Sequence, residues 1–246
     1  MVERKILNRI RQLVRRIQAR PVEFDNDVIV FHKHKCIYVP IPKVACSSIM
    51  SACADILEVK FPESEWKPEL FQTNKWDHLF DRQSVIMPKS RALAYTDYWK
   101  FAFVRNPWDR LLSCYSEKIR EDGDKENFTA GVSNILLPFG VFRSTMSFEE
   151  FARTAVAIAD DIADPHWRSQ NTFACRGSRL WVDFVGRFES IERDFQLVCQ
   201  RIGTDCVLPH LLRSDHKIYR ECYSDALCDL VARRYRRDID MFGYQF

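Results

Sequence analysis

Two short stretches of this 246-residue chain set cationic and hydroxyl side chains where they could do anion chemistry. In "YVPIPKVACSSIMSACADIL", residues 38–57, an apolar strand-like run passes through Lys43 into the small residues Val44, Ala45, Cys46, Ser47 and Ser48, and then into an amphipathic pattern. Such a junction predicts a helix N-terminus, where backbone N–H groups and the helix dipole attract phosphate-like groups. Small side chains let a ligand approach the backbone, the serines add hydroxyls, and Lys43 adds a full charge. An ordinary Ser-capped helix with an exposed lysine would read the same way, so this stretch alone leaves both readings open. The second stretch, "YWKFAFVRNPWDRLLSCYSEK", ends a strand-like run at Arg105 and places Ser113 eight residues later on a predicted helix. Arginine offers a rigid fork of donors suited to phosphate. Two such strand ends in one sheet imply a ligand with two separated phosphate groups.

Neither stretch follows a familiar nucleotide signature. The lysine precedes the turn and no glycine supports it, so G-x-x-x-x-G-K-[ST] fails, as does G-x-G-x-x-G. An ATPase, kinase or nicotinamide-binding reading loses its main support.

The elements that must position these residues alternate between strand and helix. "DVIVFHKHKCIYV" gives two apolar runs around His32–Lys35, expected as paired or consecutive strands. Ser47 or Ser48 is expected to cap a helix reaching about Glu58. A further helix is expected near His78–Ser84, followed by a strand from Lys100 to Val104, a turn at Arg105–Pro107 and a helix from Trp108 to Arg120. Ser147 and Glu150 form a capping box for the next helix. "LWVDFVGRFESIERDFQLVCQRIG" repeats the strand–turn–helix and stops at Gly203. A last helix is expected near Asp225–Arg236. This alternation predicts an α/β fold with a mostly parallel sheet, whose ligands sit beyond the C-terminal strand ends.

Charge is distributed unevenly. The net charge is +3, but the first 20 residues carry +6 and leave −3 for the rest, so nothing suggests a duplex DNA-binding surface or a nucleic-acid partner. Residues 1–21 read as a basic amphipathic helix stopped by Pro21, either lying on an anionic membrane surface or packing on the domain formed by residues 22–246. No stretch approaches the roughly 20 apolar residues of a membrane span. Nine cysteines include no C-x-x-C pair, which disfavours a zinc ribbon or dithiol redox site. Most are expected to be reduced core residues, with Cys199/Cys206 and Cys222/Cys228 as possible pairs in an oxidising compartment.

The segments "PKVACSS" and "FAFVRNPWDRLLSCYSEK", taken together and in this order, resemble the nucleotide-binding motifs of the carbohydrate sulfotransferases, in the branch of the chondroitin 4-O- and HNK-1-type enzymes. The resemblance continues through "SFEEFA", "HWRSQ", "DFVGRFESIERDF" and "YRRDIDMFGY", covering residues 36–246. It implies a P-loop-kinase-like, three-layer fold. It implies 3′-phosphoadenosine 5′-phosphosulfate (PAPS) as sulfuryl donor, PAP as product, and no metal. By motif position, Lys43, Val44, Ala45, Cys46, Ser47 and Ser48 would hold the 5′-phosphosulfate, and Arg105 and Ser113 the 3′-phosphate. The acceptor would be a hydroxyl of a glycan or glycolipid, reached by in-line displacement. Lys43 would stabilise the transferring group. A protein base must take the acceptor proton. His78 is the histidine between the two motifs and is the first candidate; His166 competes, and Asp77 and Glu117 follow. His166 and Trp167 would otherwise line the acceptor side, with Trp66, Trp76 and Trp181 as further sugar-stacking candidates. Ser169 stands where relatives often carry Pro. Animal members are Golgi proteins with a membrane span. The start at Met1 without a span instead suggests a cytoplasmic enzyme, peripheral on the inner membrane, with the Golgi lumen as alternative. Two other functions stay open: a non-catalytic nucleotide- or glycan-binding protein of the same fold, and a nucleotide-kinase-type phosphotransferase.

Overall fold

The apolar runs on either side of His32–Lys35 fold back on each other. The structure is a computed structural model, described here for residues 24–56, 84–119, 139–143, 146–209 and 219–246. In it β1 (Asp27–Phe31) and β2 (Cys36–Val39) form an antiparallel hairpin with Ile29 opposite Tyr38 and Phe31 opposite Cys36. The turn contains no glycine; Lys35 supplies the left-handed residue with φ 46°. β3 (Ser84–Pro88) pairs antiparallel with the other edge of β1. β4 (Trp99–Val104) runs parallel to β2, and β7 (Phe184–Arg187) runs parallel to β4. The order is β3-β1-β2-β4-β7. The expected mostly parallel sheet is thus corrected to a mixed one with two parallel and two antiparallel pairings. A short turn can only reverse the chain, whereas parallel pairing needs a crossover. The parallel half holds the strands that lead into the motif loops. β5 (Cys175–Arg176) and β6 (Arg179–Leu180) form a separate small hairpin.

The helices are α1 (Cys46–Ile56), α2 (Lys89–Ala92), α3 (Pro107–Lys118), α4 (Phe148–Val156), α5 (Asn171–Ala174), α6 (Ile191–Ile202), α7 (Asp225–Arg234) and α8 (Arg236–Phe242). Several starts and stops follow the sequence signals. Pro107 opens α3, and the Asn106 side chain accepts the Trp108 N–H. Ser147 and Glu150 form both bonds of the capping box on α4. Gly203 ends α6 in a left-handed conformation. The last expected helix is divided at Tyr235, and its second half, α8, runs on to Gly243.

The chain divides into two compact units. A sheet unit comprises the described residues of Asp25–Arg105 and Thr172–Arg213; a helical unit comprises those of Met1–Phe24, Asn106–Asn171 and Ser214–Phe246. In the sheet unit, Val28, Val30, Ile37, Val39, Phe101 and Phe103 are buried, as are Ile49, Ala52 and Cys53 of α1 and Phe195 and Val198 of α6. Gly186 allows β7 to close on the sheet: a Cβ there would lie 2.6 Å from Phe103 Cδ1. The buried Lys89 donates to the carbonyls of Phe173 and Cys175, at 2.7 and 2.5 Å, and lies 5.0 Å from the Trp181 ring centre. In the helical unit, Trp108, Leu111, Phe151, Ala155, Trp167, Leu227 and Val231 share one core. All nine cysteines are free thiols, five of them buried.

The basic helix expected for residues 1–21 lies outside the described residues, as does the helix expected near 78–84 except for Ser84, which opens β3.

Candidate active site

β2 ends at Val39, and the chain then needs only a short loop to enter α1. That loop bends sharply without glycine: Lys43 has φ 72° and Ala45 φ 61°. L-residues avoid this region because Cβ crowds the following carbonyl, at a cost of about 1–2 kcal/mol each. Left-handed residues alternating with ordinary ones aim successive backbone N–H groups into one concavity, a known anion-binding shape. The first helical bond runs from Ile49 N–H to Ala45 O at 3.1 Å, so the amides of Cys46–Ser48 precede it and face out of the helix end. Neither serine is the cap expected from the sequence; both sit inside the first turn of α1. Val44 is fully buried, so only its backbone can serve a ligand, whereas Lys43, Ala45, Cys46 and Ser47 are half-buried. Beneath α1, the buried Tyr38 ring stacks on Phe101 with centroids 5.2 Å apart. Burial raises its phenol well above the ordinary range, reinforced by Cys46 and Cys53, which keeps it neutral.

Arg105 follows β4 and joins the same loop. Its Nη1 donates to the Lys43 carbonyl at 3.1 Å, and its guanidinium lies 4.0 Å from the centre of the Phe188 ring. Phe188 opens a 3-10 turn, Phe188–Ser190, directly after β7. That turn is secured by Asp194, which accepts from Arg187 N–H at 2.8 Å and Ser190 Oγ at 2.9 Å. Lys43, the first turn of α1 and Arg105 are therefore brought together within the sheet unit. The sequence reading missed Phe188; its position just after the last predicted strand was the available signal.

The remaining site residues predicted from sequence belong to the helical unit or lie outside the description. Ser113 is buried on α3. His78 and Asp77, like Trp66 and Trp76, lie outside the described residues. Glu117 pairs with Lys118 at 2.7 Å. The sugar-stacking role expected for Trp167 is corrected: its ring is 0% exposed and packs among Phe139, Phe142 and Phe151, leaving no face for a ligand.

His166, by contrast, is partly exposed and oriented. Its Nδ1 lies 2.6 Å from Asp164 Oδ1, which also accepts the His166 backbone N–H at 2.9 Å. The segment carrying it is fastened from many sides. Arg110 donates to the carbonyls of Arg168 and Pro165 at 2.7 and 2.9 Å, and Tyr235 Oη to that of Trp167 at 2.6 Å. Asp238 accepts the N–H groups of Gln170 and Asn171. Ser169 N–H donates to Asp160 at 2.9 Å, a bond that proline could not make, and its Oγ accepts from Arg234 at 3.0 Å. Burial pushes the Asp160 carboxyl up, but the hydrogen bond and charge of Arg234, with Ser169, hold it below its ordinary value. Burial raises Asp238, opposed by its N–H donors, and lowers Arg110. Among the described residues, no group of three or more His, Cys, Asp or Glu side chains is arranged to hold a metal.

A model of the sulfotransferase family matches residues 26–245, nearly the whole chain. The chain belongs to that family. This sulfotransferase-family chain is 24% identical over 244 residues to carbohydrate sulfotransferase 14 of Danio rerio, covering 88% of this chain and 62% of the relative. For the Homo sapiens protein of that name the figures are 26% over 190 residues, 70% and 46%; for the Mus musculus protein, 27% over 243 residues, 88% and 60%. The chain thus spans about half to three-fifths of the length of these relatives. No solved structure matches it. The matches overturn the cytoplasmic placement expected from the sequence, because the relatives are animal carbohydrate sulfotransferases, a Golgi group. That expectation rested on where the sequence begins, which carries no weight in a chain spanning part of its relatives. No described helix is long and apolar enough to cross a membrane.

Proposed function

We propose that this chain is a PAPS-dependent sulfotransferase acting on a carbohydrate hydroxyl, within the branch of the chondroitin 4-O- and HNK-1-type enzymes. The observation that carries the reading is the turn into α1, with Lys43 and Ala45 both left-handed and Arg105 bonded to the Lys43 carbonyl. Converging amides, the α1 dipole and a lysine charge fit a phosphosulfate in chemistry and in sign. Names of relatives that read carbohydrate sulfotransferase support the acceptor class. A P-loop-kinase-like, three-layer arrangement of one domain over residues 22–246 is part of the same reading.

Bound PAPS supplies a sulfuryl group attached to a phosphate leaving group. Lys43 and the amides of Val44–Ser48 hold the oxygens of the 5′-phosphosulfate and stabilise the charge that develops there. Arg105 takes the 3′-phosphate; Ser113 is assigned to it by motif position. A protein base accepts the proton of the acceptor hydroxyl as its oxygen bonds to sulfur. The bond from sulfur to the 5′-phosphate oxygen breaks, so sulfate ester and PAP form with no electrons gained or lost. His78 is the first choice of base by its place between the motifs. His166 is the second, favoured by the Asp164 bond, which fixes one ring nitrogen and leaves Nε2 to accept a proton.

The test is a calorimetric titration with 3′,5′-PAP against 5′-AMP, followed by transfer from PAPS to a carbohydrate panel. PAP should bind about 10- to 150-fold more tightly than AMP, the value of charge-assisted contacts to the 3′-phosphate. Equal affinities would remove the donor assignment. Among His78→Ala and His166→Ala, the variant that loses turnover with PAP affinity intact identifies the base.

A further inference from the structure

We infer that Phe188 is a positioning residue of the donor site, holding the Arg105 guanidinium in the place from which it meets the 3′-phosphate; this rests on the donor reading above. β4 and β7 are parallel with Val104 opposite Arg187, so the residues following the two strands, Arg105 and Phe188, emerge side by side. The ring centre lies 4.0 Å from the guanidinium carbon, and Nη1 is fixed on the Lys43 carbonyl at 3.1 Å. The ring limits where the guanidinium carbon can sit, and the bond at one end limits how the flat group can turn. Both constraints act on the same five-donor fork, and the Arg105 residue as a whole is only 3% exposed.

Phe188 has little freedom of its own. It begins the 3-10 turn Phe188–Ser190, and Asp194 ties both ends of that turn through Arg187 N–H and Ser190 Oγ. Gly186, two residues earlier, lets β7 approach Phe103 closely enough to keep the register. The third strand–turn–helix therefore supports the donor site by supplying an aromatic face.

The experiment is titration of the full chain with 3′,5′-PAP and 5′-AMP, comparing wild type, Phe188→Leu and Phe188→Tyr. Leucine keeps apolar bulk but lacks a π face, and tyrosine restores the face. Phe188→Leu should weaken PAP binding about 3- to 30-fold, the range for a cation–π contact from exposed to desolvated. AMP affinity should stay within about twofold, since AMP lacks the phosphate that Arg105 serves. Phe188→Tyr should return PAP affinity to the wild-type value. Unchanged PAP binding in Phe188→Leu overturns the inference, as does an equal loss for PAP and AMP, which marks general damage to the unit. Failure of tyrosine to rescue overturns it too. A wild-type chain that does not prefer PAP over AMP refutes the donor reading itself, and the inference with it.

Discussion

Replacing Ala45 by glycine should make the protein more stable, although the same change inside α1 should do the reverse. Ala45 has φ 61°, where an L-residue bears about 1–2 kcal/mol of steric cost that glycine does not. Against this stands the greater freedom of glycine in the unfolded chain, worth about 0.4–1 kcal/mol. The difference at the centre of these ranges is about 0.8 kcal/mol in favour of glycine, or roughly 2–3 °C in melting temperature for a chain of this size. Ala54 is the control: it is 0% exposed in the interior of α1, where glycine loses about 1 kcal/mol of helix propensity and a buried methyl worth about 0.8 kcal/mol. Thermal and urea unfolding of both variants would read the opposite signs. PAP titration adds an independent check. A looser loop must be ordered on binding, so Ala45→Gly should bind PAP about 2- to 5-fold more weakly while melting higher. Destabilisation of Ala45→Gly by about 1 kcal/mol, as in a helix interior, would refute the strained-loop argument.

Two further perturbations test the supports of each unit. Gly186→Ala should cost about 1–3 kcal/mol through overpacking, because the new Cβ would meet Phe103 Cδ1 at 2.6 Å. Urea unfolding should find a smaller cost in a Phe103→Leu background, and equal costs in both backgrounds would show that the ring is not the obstacle. Asp160→Asn should destabilise at neutral pH by about 1 kcal/mol, the difference between charge-assisted and neutral hydrogen bonds. The folded carboxyl titrates below its unfolded value of about 4, so its contribution is present above that value and lost as pH falls through the folded one. The gap between wild type and variant should therefore narrow below about pH 4 in acid unfolding. A gap constant from pH 7 to pH 3 would remove the Arg234 pair as its cause.

The sequence announced the elements better than it announced the site. Apolar runs ending at Lys43 and Arg105, the Ser147 capping box and the Gly203 stop each rest on local chemistry, and local chemistry is what a single sequence carries. β3 was missed because "SVIMP" is a short apolar run beside a long polar one, with its partner β1 more than 50 residues earlier. The parallel sheet was overestimated because the β1–β2 turn lacks Asn-Gly or Asp-Gly and uses Lys35 in a left-handed conformation instead. The loop at Lys43 was hidden for the same reason: positive φ is read from glycine, and here Lys and Ala adopt it. Trp167 shows the opposite failure, since a tryptophan beside a candidate base looks like a sugar platform until its burial is known.

The helical unit devotes an unusual set of buried polar groups to one short segment. Arg110, Asp238 and Tyr235 are each almost wholly buried, and each bonds the backbone of residues 165–171. Burying ionisable groups is costly unless their hydrogen bonds are met, and apolar residues of similar volume would fill the same space more cheaply. What apolar residues could not do is fix the path of the backbone around His166. Asp164 then fixes the ring itself, through Nδ1 and through the backbone N–H. A histidine needed only for packing or solubility requires neither constraint. This concentration of support is the reason to test His166 beside His78, and the variant that keeps PAP affinity while losing turnover decides between them.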